Sequence, residues 1–161
     1  MKKIIISVLA LLLCVLSFAQ NNNSIYNKFS DREGVSAVYV SQAMFRMIGK
    51  LPDLNMPEGD VNLAPIMTEM NGMYILDCEN LAVIGELKSE VERMVKKDKM
   101  ELLLETKEDG ESVRIYTAGD SENITNFVMT TAEKDEFVFI GLSGKMSRKD
   151  FEKLLYSSTA N

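Results

Sequence analysis

Asp109-Gly110 stands between two runs of strand-forming residues, Met100–Lys107 and Ser112–Ala118. Both turn residues tolerate positive φ, which makes this the strongest short hairpin signal in the chain. A second pair of runs, Asn126–Ala132 and Phe137–Leu142, flanks the polar turn Glu133-Lys134-Asp135-Glu136. Strands joined by turns this short pair antiparallel, because a parallel pair needs a long crossover. The C-terminal half is therefore committed to an antiparallel sheet.

The N-terminal half supplies further strands and the helices. Val35–Val40 is β-rich and follows Gly34. Ser41 can cap a helix that begins at Gln42, carries Ala43, Met44, Met47 and Ile48 on one side, and ends at Gly49. Lys50–Ala64 reads as a long loop, since Pro52, Pro57 and Pro65 lie in it or at its edge. Leu63, Ile66, Met67 and Met70 have helical spacing, and Asn71-Gly72 would stop a short helix there. Met73–Cys78 reads as a strand. Asn80 can cap the helix Leu81–Lys97, where Leu81, Ile84, Leu87, Val91, Met94 and Val95 make one apolar face. Ser147 caps a last helix, with Phe151, Leu154 and Leu155 on its apolar side. The expected fold is α+β: one domain over residues 20–161, a mostly antiparallel sheet with helices packed on one face as a two-layer sandwich. Phe137-Val138-Phe139-Ile140 is apolar at both parities, so it should be a central strand whose second face also needs cover.

The first 19 residues follow a different logic. Lys2 and Lys3 precede an almost unbroken apolar run from Ile4 to Leu16, and Ser17-Phe18-Ala19 follows. This is the pattern of a cleavable secretory signal peptide, with the cut expected between Ala19 and Gln20. The run falls short of the roughly 20 apolar residues of a bilayer-spanning helix. Leu13 before Cys14 does not suit a lipidated cysteine. The mature protein is thus expected to be periplasmic or extracellular, without stable membrane insertion, and its first residues, 20–27, to be flexible.

Composition then narrows the functional classes. Loss of Lys2 and Lys3 moves the formal net charge from −6 to −8. Phosphate backbones and anionic lipid repel such a chain, so nucleic acid is not an expected partner. Cys78 is left as the single cysteine, so no intrachain disulfide can form, and its place between Asp77 and Glu79 suits a small buried residue better than a nucleophile. There is no histidine, which excludes Ser-His-Asp and Cys-His catalysis and histidine-ligated zinc.

Three constellations have chemical potential. Met67, Met70 and Met73 offer soft thioether sulfurs of the kind that bind Cu(I), although methionine is also the usual filler of irregular cores. Asp31, Arg32 and Glu33 form a candidate interaction cluster, or equally a solvated turn. Glu101 and Glu105 could be read as paired carboxylates on one strand face, against the plainer reading of a wet edge. None supplies a catalytic set, and no cofactor is expected. The expectation is a non-enzymatic envelope protein that binds another protein, with a small-ligand or Cu(I)-binding protein as the alternative.

Lys28-Phe29-Ser30-Asp31-Arg32-Glu33-Gly34-Val35-Ser36, followed by Val38-Tyr39-Val40-Ser41 and Met44-Phe45, resembles the domain-of-unknown-function 4252 family. Pattern-level similarity continues through Met73-Tyr74-Ile75-Leu76 and the strand Phe137–Gly144. The resemblance spans essentially the whole mature chain. It implies a small exported α+β protein of Gram-negative bacteria, with no established activity or ligand and no catalytic residues to carry over.

Overall fold

The computed structural model describes residues 21–48 and 69–152. The proposed leader, its cleavage site at Ala19 and Gln20, the proline-containing loop, Met67, Leu154 and Leu155 lie outside the described residues.

Nine elements follow one another: α1 (Asn21–Phe29), β1 (Val35–Ser41), α2 (Gln42–Ile48), β2 (Met70–Cys78), α3 (Leu81–Lys97), β3 (Glu101–Glu108), β4 (Glu111–Gly119), β5 (Asn123–Ala132) and β6 (Phe137–Ser147). Residues 148–152 then open a helix. All five strand pairs are antiparallel, in the spatial order β1-β2-β6-β5-β4-β3. The expected α+β class and the antiparallel sheet are both present, and Phe137–Ile140 does lie on a central strand.

Local chemistry accounts for most boundaries. The Asn80 side chain accepts from the Ala82 amide at 3.0 Å and starts α3, while Lys96 and Lys97 occupy its last turn. Asp109 and Gly110 adopt φ of 49° and 91°, the left-handed values a two-residue hairpin needs. The Ser41 hydroxyl accepts from the Met44 amide, and the Ser147 hydroxyl from the Asp150 amide.

The core lies between one sheet face and the pair α1 and α3. Leu76 and Cys78 of β2, Phe137 and Phe139 of β6 and Val128 of β5 meet Val83, Ile84, Leu87, Val91 and Met94 of α3. Ile25 and Phe29, one turn apart on α1, complete it. We call this the inner face. A smaller cluster on the outer face joins Phe45 of α2 and Phe151 to Val40, Met70, Met73, Leu142 and Met146. The two long helices thus share one face, and α2 with the start of the last helix covers one end of the other.

Four expectations need correction. Residues 21–29 form α1 rather than a flexible tail, with Asn22, Ile25 and Phe29 almost wholly buried. Burial of one face on α3 and the sheet holds this asparagine-rich segment helical despite its weak propensity. Met70 belongs to β2, not to a helix, and Asn71-Gly72 lies within the strand instead of terminating anything. Leu81 is 69% exposed, and Val83 takes its expected place in the core. A bulge between Leu102 and Leu104 pairs Glu101 with Thr117 but Glu105 with Arg114. Thr117 and Arg114 project from opposite faces of β4, so the two glutamates are not a facing pair.

Candidate functional site

The outer face is the unusual surface. An antiparallel sheet with one face in water normally alternates apolar and polar residues. Here the register instead aligns Val38, Ile75, Ile140, Met129, Ile115 and Leu104 in one uninterrupted apolar row across all six strands. At about 4.8 Å per strand, the row is roughly 24 Å wide. Val38 is 50% and Leu104 43% exposed, and the four residues between them are partly exposed. The adjacent row, Val40, Met73, Leu142 and Phe127, runs under α2 and Phe151, with Phe127 and Phe151 in ring contact. The row on the other side is Ser36, Asp77, Val138, Thr131, Val113 and Thr106. Of these six, only Asp77 is charged.

Asp77 links this face to an acidic rim. Glu79, Glu133 and Glu136 gather around the same end of the sheet, and the Asp77 charge is the largest cause of an upward-shifted Glu136 carboxyl. Asp77 Oδ1 is buried without a hydrogen-bond partner. Among the described residues, no three cysteine, aspartate or glutamate side chains are grouped so as to hold a metal ion.

The other sequence candidates fall in separate places. Met70 and Met73 share the outer-face cluster, joined by Met146, which sequence spacing did not reveal because it lies 73 residues beyond Met73. Met70 is 3% exposed. Asp31, Arg32 and Glu33 lie in the turn between α1 and β1. Arg32 pairs with Glu86 of α3 at 3.3 Å, and the Glu33 carbonyl accepts from the Asn80 side chain at 3.0 Å. Lys28 reaches Glu90 at 2.5 Å and Glu86 at 3.1 Å, so these charges clamp α1 to α3. The Lys28 hydrogen bonds hold both carboxyls below their ordinary range. Glu105 is bound by Arg114 at 2.7 Å and Lys107 at 3.1 Å, which likewise lowers its carboxyl. Cys78 is fully buried, its thiol facing the Asn80 carbonyl.

One groove lies on the inner side, between α3 and β4. Its lining includes Lys88, Glu92, Arg114, Tyr116 and Phe137, and its volume is about 240 Å³. That falls below the roughly 300–1,000 Å³ of pockets that enclose drug-sized ligands. Lys88 lies 5.4 Å from the Phe137 ring centroid, and Arg114 is engaged by Glu105.

No helix among the described residues is long and apolar enough to cross a membrane. No curated protein and no solved structure matches the chain significantly. The profile of the family described as a domain of unknown function (DUF4252) matches residues 26–154, from the middle of α1 through β6 and beyond, and the chain belongs to that family.

Proposed function

We propose that this is an exported, non-enzymatic protein of the cell envelope that acts by binding another protein through its outer sheet face. The observation that carries the reading is the six-strand apolar row from Val38 to Leu104. Contiguous exposed apolar surface of this kind marks interaction sites in soluble proteins. Export is supported by the lysine-led apolar run at the N-terminus. The acidic rim formed by Asp77, Glu79, Glu133 and Glu136 gives the partner a chemistry: an apolar patch bordered by lysine or arginine.

A photocrosslinking residue at Ile115, on the row, is the direct test in native envelope. It should capture one protein, and the same residue at Ser89, on the exposed side of α3, should not. Reversing the rim with Glu133→Lys and Glu136→Lys should abolish the Ile115 adduct. Equal adducts from both positions, or an adduct indifferent to the reversal, would overturn the reading.

Soft-metal binding has one observation in its favour, the convergence of Met70, Met73 and Met146. Phe45, Val40 and Leu142 fill the same cluster, as hydrophobic packing requires. Anaerobic Cu(I) titration decides between them. On the packing reading neither the wild type nor the Met70→Leu, Met146→Leu double mutant binds stoichiometrically. Tight one-to-one binding lost in the double mutant would make copper handling the function.

A further inference from the structure

The two edges of the sheet differ in a way that bears on what the protein binds to. β3, at one edge, carries Glu101, Glu105, Lys107 and Glu108 and is interrupted by the bulge at Leu102–Leu104. Charges and bulges are the devices by which proteins stop an edge from pairing with another chain. β1, at the other edge, has none of them. Its sequence is Val-Ser-Ala-Val-Tyr-Val-Ser, without charge or proline, and all seven residues pair with β2 in unbroken register. Val38 and Tyr39 at its centre are each 50% exposed. α2 follows at once and adds Met44 and Met47, 48% and 67% exposed, on either side of the exposed Arg46. Among the described residues, no strand lies beyond β1.

We infer that β1 is a dimerisation edge, and that its occupant is β1 of a second copy of this chain, paired antiparallel across a twofold axis at Val38. The residue order of β1 is self-complementary in that register. Tyr39 falls opposite Ala37 of the second copy, Val40 opposite Ser36, and Val35 opposite Ser41, so on either side of Val38, which meets its own twin, each large side chain meets a small one. Paired residues are an even number apart in sequence, so they lie on the same sheet face. No charge meets a like charge, although the chain as a whole is acidic. The pairing also joins the two outer-face rows through Val38 and its twin, making one apolar row across a twelve-stranded sheet. A twofold contact needs such a self-complementary patch, and backbone pairing at an open edge supplies the affinity. The inference does not depend on the partner-binding reading, since two copies pair in this way whether or not a third protein covers the outer face.

Two strands of seven residues make a small interface, below about 1,200 Å² in total, so self-association on the order of micromolar is expected. Sedimentation of the purified full-length gene product, from about 1 to 200 µM, should show a monomer–dimer equilibrium. Val38→Lys places two like charges face to face on the axis and should weaken dimerisation by about tenfold or more. A second measurement fixes the register without relying on that variant's stability. In a Cys14→Ser background, Val38→Cys should form an intermolecular disulfide on mild oxidation, because residues directly opposite have Cβ atoms about 4.5–5.5 Å apart. Ser36→Cys should not, because the twofold places the two Ser36 residues four positions out of step. A protein that stays monomeric throughout the range would overturn the inference. So would a Val38→Lys variant that dimerises like the wild type, or equal crosslinking at positions 36 and 38.

Discussion

Glu136 sits among Asp77, Glu79 and Glu133, and their repulsion, led by Asp77, raises its carboxyl above the ordinary glutamate value. A raised carboxyl favours the folded state while protonated, and that advantage is lost as pH rises through the folded-state value. At neutral pH the charged Glu136 therefore opposes folding. Glu136→Gln should raise the thermal midpoint at pH 7 and leave it unchanged near pH 3, as calorimetry at the two pH values would show. Glu86, Glu90 and Glu105 carry the opposite sign. Their cationic partners depress them, so their contribution is present above the unfolded value near 4.3 and fades as pH falls below it. Removing the clamp with Lys28→Met should flatten the acid side of the stability profile. Gly141 is constrained by contact instead of charge. A Cβ there would stand 2.7 Å from Asn22 Cγ and 2.9 Å from Phe139 Cζ. Gly141→Ala should cost about 1–3 kcal/mol in urea unfolding, as overpacking does.

At the scale of elements, α3 and the β3–β4 hairpin were legible because their signals are local. An asparagine cap, an apolar stripe and two turn residues with left-handed φ each act within a few positions. Asn80→Ala should accordingly cost about 1–2 kcal/mol, since the cap is lost along with the bond to the Glu33 carbonyl. α1 was illegible because its helicity comes from contacts with residues far along the chain. Asn22 bonds Asn126 at 2.6 Å, and Phe29 is wholly enclosed by the core. Phe29→Ala should destabilise the domain by about 3–5 kcal/mol, the usual result of emptying a buried aromatic site. If α1 were a loose tail, the same change would leave the urea midpoint in place. Met70 was misread because spacings of three and four residues suit a helix equally well when a strand begins at the end of the run. The β3 bulge has no sequence signature, so nothing in Glu101-Leu102-Leu103-Leu104-Glu105 announces that its two glutamates part company.

For the whole molecule, the sequence foretold the sheet but not its order, and the candidate surface depends on that order. Phe137–Ile140 alone indicated an apolar second face. Ile115, Met129 and Leu104 join that face only once the register across β3, β4 and β5 is known. The strand order also has a consequence for timing. Among the described residues β6 is the last strand in sequence yet lies between β2 and β5, so it is the only strand there that pairs the β1–β2 unit to the β3–β4–β5 meander. A chain emerging from its N-terminus holds two incomplete sheets until residues 137–147 arrive, and most of the long-range pairing must wait for them. For the exported protein that we propose, the late key strand acts as a built-in delay in folding. The polypeptide stays threadable until this strand has been made.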